Sequence, residues 1–184
     1  EPGTLGQLIR ADKKNPAKIK NLKISGKINA RDFNFMRDSM NILQAVNLKE
    51  CEIVAGWMMR FGNSENEEKR FSFNGKMPDS HEARMSALRQ KYPDFDPDNS
   101  GYWHWGTESY NADEIPPYAF GRDSWSEGVR SYLVYFSFPE KVKKIGYGAF
   151  EYCSNMTSIT IPDSVTEIGD WAFDGCSSLT SITI

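Results

Sequence analysis

An α/β solenoid, a short right-handed coil with parallel strands, is the fold class this sequence predicts, and three observations predict it. Residues 138–160 and 161–183 repeat each other at a spacing of 23, matching at Pro139/Pro162, Val142/Val165, Ile145/Ile168, Gly146/Gly169, Ala149/Ala172, Phe150/Phe173, Cys153/Cys176 and Ile159/Ile182. A looser copy precedes them, with "EIPPYAF" (114–120) over "EIGDWAF" (167–173) and "LVYFSFP" (133–139) over "MTSITIP" (156–162). Near the N-terminus, "LQAVNLKECEI" spaces Leu43, Val46, Leu48, Cys51 and Ile53 on one apolar template. Units of this size cannot bury their own apolar faces and do so by stacking on the next unit.

The elements follow in order. Thr4 with Gln7 three residues on has a capping-box pattern, opening an amphipathic helix with Leu5, Leu8 and Ile9 that covers the first coil's apolar edge. In "NLKISGKIN", Leu22 and Ile24 stand in register with Val46 and Leu48, one coil earlier. Between these strands, "NARDFNFMRDSMNIL" has Asn29 as a helix N-cap and Phe33, Met36 and Ile42 near helical spacing. In the last copy the two-residue strand period sends Leu179, Ile182 and Ile184 inward and Ser181 and Thr183 outward. The outward ladder is then Tyr135, Ser137, Ser158, Thr160, Ser181 and Thr183, a hydroxyl-rich strip that suits either an exposed parallel sheet or a docking surface. Phe150 and Phe173 are expected to stack in the core beside Ala149 and Ala172, and Gly146 and Gly169 to make turns with φ above zero. The third copy's extra length, around "RDSWSEG", reads as a loop bulging from one coil.

Residues 55–113 break the period, which divides the chain into an N-terminal cap with the first coils (1–54), an inserted segment (55–113) and the C-terminal repeats (114–184). Within the insertion, "GNSENEEKR" reads as a polar loop and "RFSFNGK" as part of a hairpin with an Asn-Gly turn. "DSHEARMSALRQKYP" reads as a helix capped by Asp79 or Ser80, with Met85 and Leu88 on one face and Pro93 beyond its end. Asp94, Asp96 and Asp98 alternate like the start of a calcium loop, but Asn99 and Trp105 stand where that loop needs Gly and Glu, so no metal is expected. The aromatics Trp57, Phe61, Phe71, Phe73, Tyr110, Trp125 and the run Tyr102 to Trp105 are read as the insertion's core, with Trp103 and Trp105 kept as candidate contacts to a partner or stacking platforms for a sugar.

Composition excludes several classes. A net charge of -3 with both signs interspersed offers no concentrated basic surface for nucleic acid. No apolar run approaches the ~20 residues of a membrane-spanning helix. No targeting signal stands at the start, and "EPGTL" reads as the opening of a mature or trimmed segment. The three cysteines, Cys51, Cys153 and Cys176, do not form a disulfide framework and are read as reduced, buried thiols. His81 and His104 are the two histidines, and neither lies in a nucleophile, phosphate-loop or zinc motif, so no catalytic residue and no cofactor is expected.

Taken together, "IPDSVTEIGDWAFDGCSSLTSITI", the "IPPYAF" approach to it and "LKISGKINARDF" resemble the BspA-type leucine-rich repeat proteins of bacterial surfaces, closely over 114–184 and well over about 4–54. The resemblance implies export to the cell surface or periplasmic side and adhesion to, or recognition of, other macromolecules. The reading that follows is a non-enzymatic recognition module binding an extracellular protein through the strand face and the insertion. A glycan-binding surface protein using Trp103 and Trp105, and a structural spacer, are the alternatives. The last strand is expected to continue in a further coil or to pair with another molecule, including a second copy.

Overall fold

The structure, a computed structural model, describes residues 1–63, 68–96, 103–121 and 131–184. Among these residues the N-terminal part holds α1 (Leu5–Ala11), β1 (Asn21–Ile28), α2 (Ala30–Ser39) and β2 (Ala45–Ile53). The insertion holds β3 (Gly56–Gly62), β4 (Glu68–Asn74), α3 (His81–Lys91) and β5 (Trp103–Tyr110). The repeats add β6 (Glu114–Ile115), β7 (Tyr135–Ser137), β8 (Lys144–Ile145), β9 (Ser158–Thr160), β10 (Glu167–Ile168) and β11 (Ser181–Thr183).

Every strand pair among the coils is parallel. Sheet order is β1-β2-β7 and β9-β11 on one side and β6-β8-β10 on another. Leu22 pairs with Val46 and Ile159 with Ile182, as the sequence register predicts, and Val46 also pairs with Phe136. Two details differ. The register slips by one residue between Lys23 and Ser25, so Ile24 faces Leu48 and Lys49 together, a bulge that bends the strand. The coil front is also two short sheets rather than one, because β7 and β9 lie side by side without a hydrogen-bonded ladder. Between strands the N-terminal coil uses a helix, α2, whereas the repeat copies turn back through tight turns.

Three equivalent backbone bonds tie each repeat coil to the next. Tyr118 N–H donates to the Tyr147 carbonyl as Gly148 N–H does to Asp170, and Phe120 N–H to Ala149 as Phe150 N–H does to Ala172. The Gly146 N–H reaches back to the Ile115 carbonyl as the Gly169 N–H does to Ile145. This registry stacks the phenylalanines: Phe120 and Phe150 centroids lie 5.8 Å apart at 13°, Phe150 and Phe173 5.4 Å apart at 3°. The left-handed position is not at Gly146 or Gly169, contrary to expectation. It falls two residues on, at Tyr118 (φ 52°), Gly148 (56°) and Trp171 (62°), and again at Tyr152 (56°) and Gly175 (65°). Gly146 and Gly169 are required for another reason, since a Cβ on them would stand 2.6 Å from the Ile115 carbonyl and 2.8 Å from Tyr147 N, inside the preceding coil's backbone.

At the N-terminal end one carboxylate organises two helices. Asn29 caps α2, its Oδ1 accepting from Arg31 N–H, and buried Asp32 accepts from the Asn29 N–H at 3.0 Å. Asp32 also accepts from the Gly3 and Leu5 N–H groups at 2.6 and 2.9 Å, supplying the cap of α1 from outside. The expected Thr4–Gln7 box is absent: the Thr4 hydroxyl donates to the Glu1 carbonyl. Leu5 and Ile9 are buried against α2 and the coils, whereas Leu8, read as part of the same face, is 63% exposed.

The insertion is a three-stranded antiparallel sheet, β4-β3-β5, buried on both faces of β3. The strand period explains this: Trp57, Met59 and Phe61 point to α3, with Met85, Leu88 and Phe95, while Met58 joins the coil core. Trp57 stacks on Phe73 at 3.9 Å, so these aromatics are the small core the sequence suggests. Ser80 caps α3. Asn74-Gly75 ends β4 instead of turning a hairpin, with Gly75 at φ 81°; β3 and β4 are the hairpin. The insertion is fastened to the coils at Tyr118, whose carbonyl accepts from Arg37 at 2.8 Å and Arg70 at 2.9 Å, and whose ring lies 3.9 Å under the Arg60 guanidinium. The "RDSWSEG" loop, Tyr102, Asp98, Asn99 and Trp125 lie outside the described residues.

Replacing Asp32 with Ala strands three donors in a dry corner, each costing on the order of 1–3 kcal/mol. We expect Asp32→Ala to lower stability by about 3 kcal/mol or more in urea melts. Hydrogen exchange at Gly3, Leu5 and Asn29 should rise with it; unchanged protection there would contradict the role assigned to this carboxylate.

Candidate interaction face

The strand face is built by alternation. Phe136 and Ile159 point into the core, so their neighbours point out, and parallel registry aligns those neighbours in rows. One row is Tyr135, Ser158 and Ser181; the other is Ser137, Thr160 and Thr183. All six are exposed except half-buried Ser137, and Tyr135 is 62% exposed. The rows continue onto β2 at Ala45 and Asn47 and onto β1 at Asn21 and Lys23. Past that point the face is charged, with Lys23–Glu50 at 2.6 Å and Lys27–Glu52 at 3.6 Å across β1 and β2.

Where the ladder stops between β7 and β9, the face opens into a shallow groove of about 560 Å³. Phe136, Phe138 and Ile159 reach its floor, with Lys49 and Glu140 on its rim. The sequence reading missed these residues. The available signal was the aromatic pair of "YFSF", which stands where the following copy has Ile159 and Ile161. Phe136 and Phe138 pack on each other and on Phe150 at 4.8 to 5.8 Å.

At the free side of the last coil, Ile182 is in register with buried Ile159 yet 49% exposed, and Ile184 is 83% exposed. Both were expected inside; no coil covers them among the described residues. Ile168 and Trp171 are exposed beside them. Trp103 and Trp105 lie on β5, and their side chains fall outside the described residues.

None of the three cysteines forms a disulfide. Each thiol donates to a carbonyl of the preceding coil: Cys51 to Ile24 at 3.2 Å, Cys153 to Phe120 at 3.8 Å and Cys176 to Phe150 at 3.1 Å. Burial pushes the Cys51 and Cys176 thiols up to about 11. Cys176 is only half-buried, unlike the other two. His81 and His104 meet with ring centroids 5.5 Å apart, and burial, then the His81 neighbour, holds His104 below its ordinary value. His104 Nε2 is 2.9 Å from the Thr107 hydroxyl. Among the described residues, no three His, Cys, Asp or Glu side chains gather to hold a metal ion. No helix there is long and apolar enough to cross a membrane.

Parallel strands stacked at a fixed repeat, each coil bonded to the next at equivalent atoms, define a solenoid-like repeat protein. Residues 114–184 match the family described as BspA type leucine rich repeat region (6 copies), which supports a BspA-type leucine-rich repeat in this stretch. Repeats of this kind are in general non-enzymatic protein-interaction modules and typical of surface or exported proteins. No curated protein matches the chain.

Cys51 and Cys176, held this far above neutrality, are poor nucleophiles, and Cys153 is fully buried. In the folded protein at pH 7.5, Cys51 and Cys153 should resist iodoacetamide over a period that fully labels the urea-unfolded chain, with Cys176 reacting slowly. Mass spectrometry finding a Cys153–Cys176 disulfide in the purified protein would overturn the assignment of reduced thiols.

Proposed function

We propose that the chain is a non-enzymatic recognition and adhesion module, exported to the cell surface, which docks an extracellular protein partner on the β7-β9-β11 face. The observation that carries this reading is the row of outward Tyr135, Ser137, Ser158, Thr160, Ser181 and Thr183 beside a groove floored by aromatic side chains. Neutral hydroxyl rows make and release hydrogen bonds without the desolvation cost of charges, and Tyr135 offers a large rigid contact at little entropic cost. Trp103 and Trp105 belong to the proposal from sequence alone. The division at 1–54, 55–113 and 114–184, the right-handed sense of the coil and α1 as its cap are part of the same reading. Two apolar clusters, one running from Leu5 to Leu179 and one within the insertion, support setting 55–113 apart, although Met58 and Tyr110 join the first cluster, which spans 1–54 and 114–184 together.

Candidate surface proteins can be captured on immobilised wild type and on Tyr135→Ala/Thr160→Arg. We expect the double variant to weaken a genuine partner at least tenfold with melting temperature unchanged; equal capture by both would sink the strand face as the docking surface. The exposed Ile182 and Ile184 edge also supports pairing with another chain. Light scattering should then show mass rising with concentration for wild type and not for Ile182→Lys; a strict monomer in both removes self-association.

A further inference from the structure

We propose that a second, chemically distinct site lies in the cleft between the N-terminal helices and the insertion, and that it binds one acidic sugar residue. The cleft has a volume of about 240 Å³, on the scale of a single substituted pyranose ring. α1 contributes Arg10, α2 contributes Arg31 and Phe35, and the insertion contributes Arg70, Ser72 and Tyr92. Junctions between structural units are where small-ligand pockets concentrate.

Its charge is the first argument. The two acids on its wall are spoken for: Asp32 is saturated by three backbone N–H groups, and Asp38 is held by Arg37 at 2.7 and 2.8 Å. Arg10 and Arg31 have no carboxylate partner among the described residues. Behind the lining, the Lys91 ammonium donates to the Ser72 carbonyl at 2.8 Å and is held below its ordinary value by burial and then by Arg31. Arg10, Arg31 and Arg70 line the cleft against two carboxylates, Asp32 and Asp38, of which Asp38 is paired with Arg37, so in a chain of net charge -3 this wall keeps a net positive field. The planar guanidinium fork fits a carboxylate or sulfate in two-point contact.

The rest of the lining is the second argument. Phe35 and Tyr92 offer ring faces, and Phe35 already lies 5.7 Å beneath the Arg10 guanidinium. Gln7 and Ser39 offer amide and hydroxyl groups suited to sugar hydroxyls, while Asn34 is held by Ser72 and Arg37 and fixes that wall. An inorganic anion would use the arginines and leave the aromatic and neutral polar groups idle. A ring bearing one acidic group uses both, with its oxyanion on Arg10 and Arg31.

The test is titration calorimetry on the full chain with three probes: a tetrasaccharide alternating glucuronate and N-acetylglucosamine, a 6-sulfated glucose, and neutral chitotetraose. The acidic probes should bind, the tetrasaccharide with a dissociation constant of about 1 mM or below, and weaken as salt rises. Chitotetraose should bind at least tenfold more weakly. Arg10→Gln/Arg31→Gln should lose at least tenfold while its melting temperature and strand-face binding stay at wild-type values, and Arg31→Lys, which keeps charge without the fork, should lose an intermediate amount. Equal binding of neutral and acidic sugars, full binding by the glutamine pair, or no binding of either acidic probe would each overturn the proposal. Because the strand-face assay is separate, failure here leaves that reading standing.

Discussion

Coil-to-coil registry is the constraint on which this structure depends. A coil of 23 residues has too little interior to bury Phe150 alone; the ring becomes core only when Phe120 lies on one side and Phe173 on the other. Registry is enforced at the backbone by N–H groups that reach the equivalent carbonyl of the adjacent coil, and at the side chains by thiols that do the same. A slip of one residue would turn the hydroxyl rows inward and expose the isoleucines. The proposed recognition face is therefore a by-product of the same alignment that makes the core.

That alignment also shows which positions answer to geometry and which to chemistry. The left-handed turn position is filled by Tyr118, Gly148 and Trp171 in successive coils, so the backbone conformation repeats while the residue does not. A side chain in that conformation costs ~1 kcal/mol. At Tyr118 the cost is offset by the three arginines that gather on its ring and carbonyl. At Gly146 and Gly169 the residue is fixed because the neighbouring backbone occupies the space of a Cβ.

The repeat was legible because its spacing and its apolar alternation are properties of the chain itself: the parallel pairing, the Leu22–Val46 register, the Phe150–Phe173 stack and the α3 helix with Ser80 as cap all follow from local pattern. What pattern could not supply depends on partners distant in sequence. Thr4 reads as a cap until Asp32, 27 residues beyond Leu5, takes that task. Asn74-Gly75 reads as a hairpin turn until β5, 29 residues later, pairs with β3 and completes the sheet. Gly146 reads as a left-handed turn because glycine's two uses look alike in sequence. The groove between β7 and β9 and the cation cleft are likewise products of packing, with no motif to announce them.

The two surfaces differ in the way their origins imply. The strand face is repetitive, neutral and made by residues that recur every coil, so any lengthening of the coil would extend it without changing its character. The cleft exists once, because it requires the insertion to fold back against α1 and α2, and its charge arises where Arg10 of α1, Arg31 of α2 and Arg70 of the insertion are brought together. Arg31 lies on the same helical turn as Asp32, but the Asp32 oxygens are aimed at the capping N–H groups of both helices, so the two make no ion pair. The carboxylate that holds the N-terminal end together thus leaves the Arg31 guanidinium fork free of a bidentate partner, which is the geometry the proposed site uses.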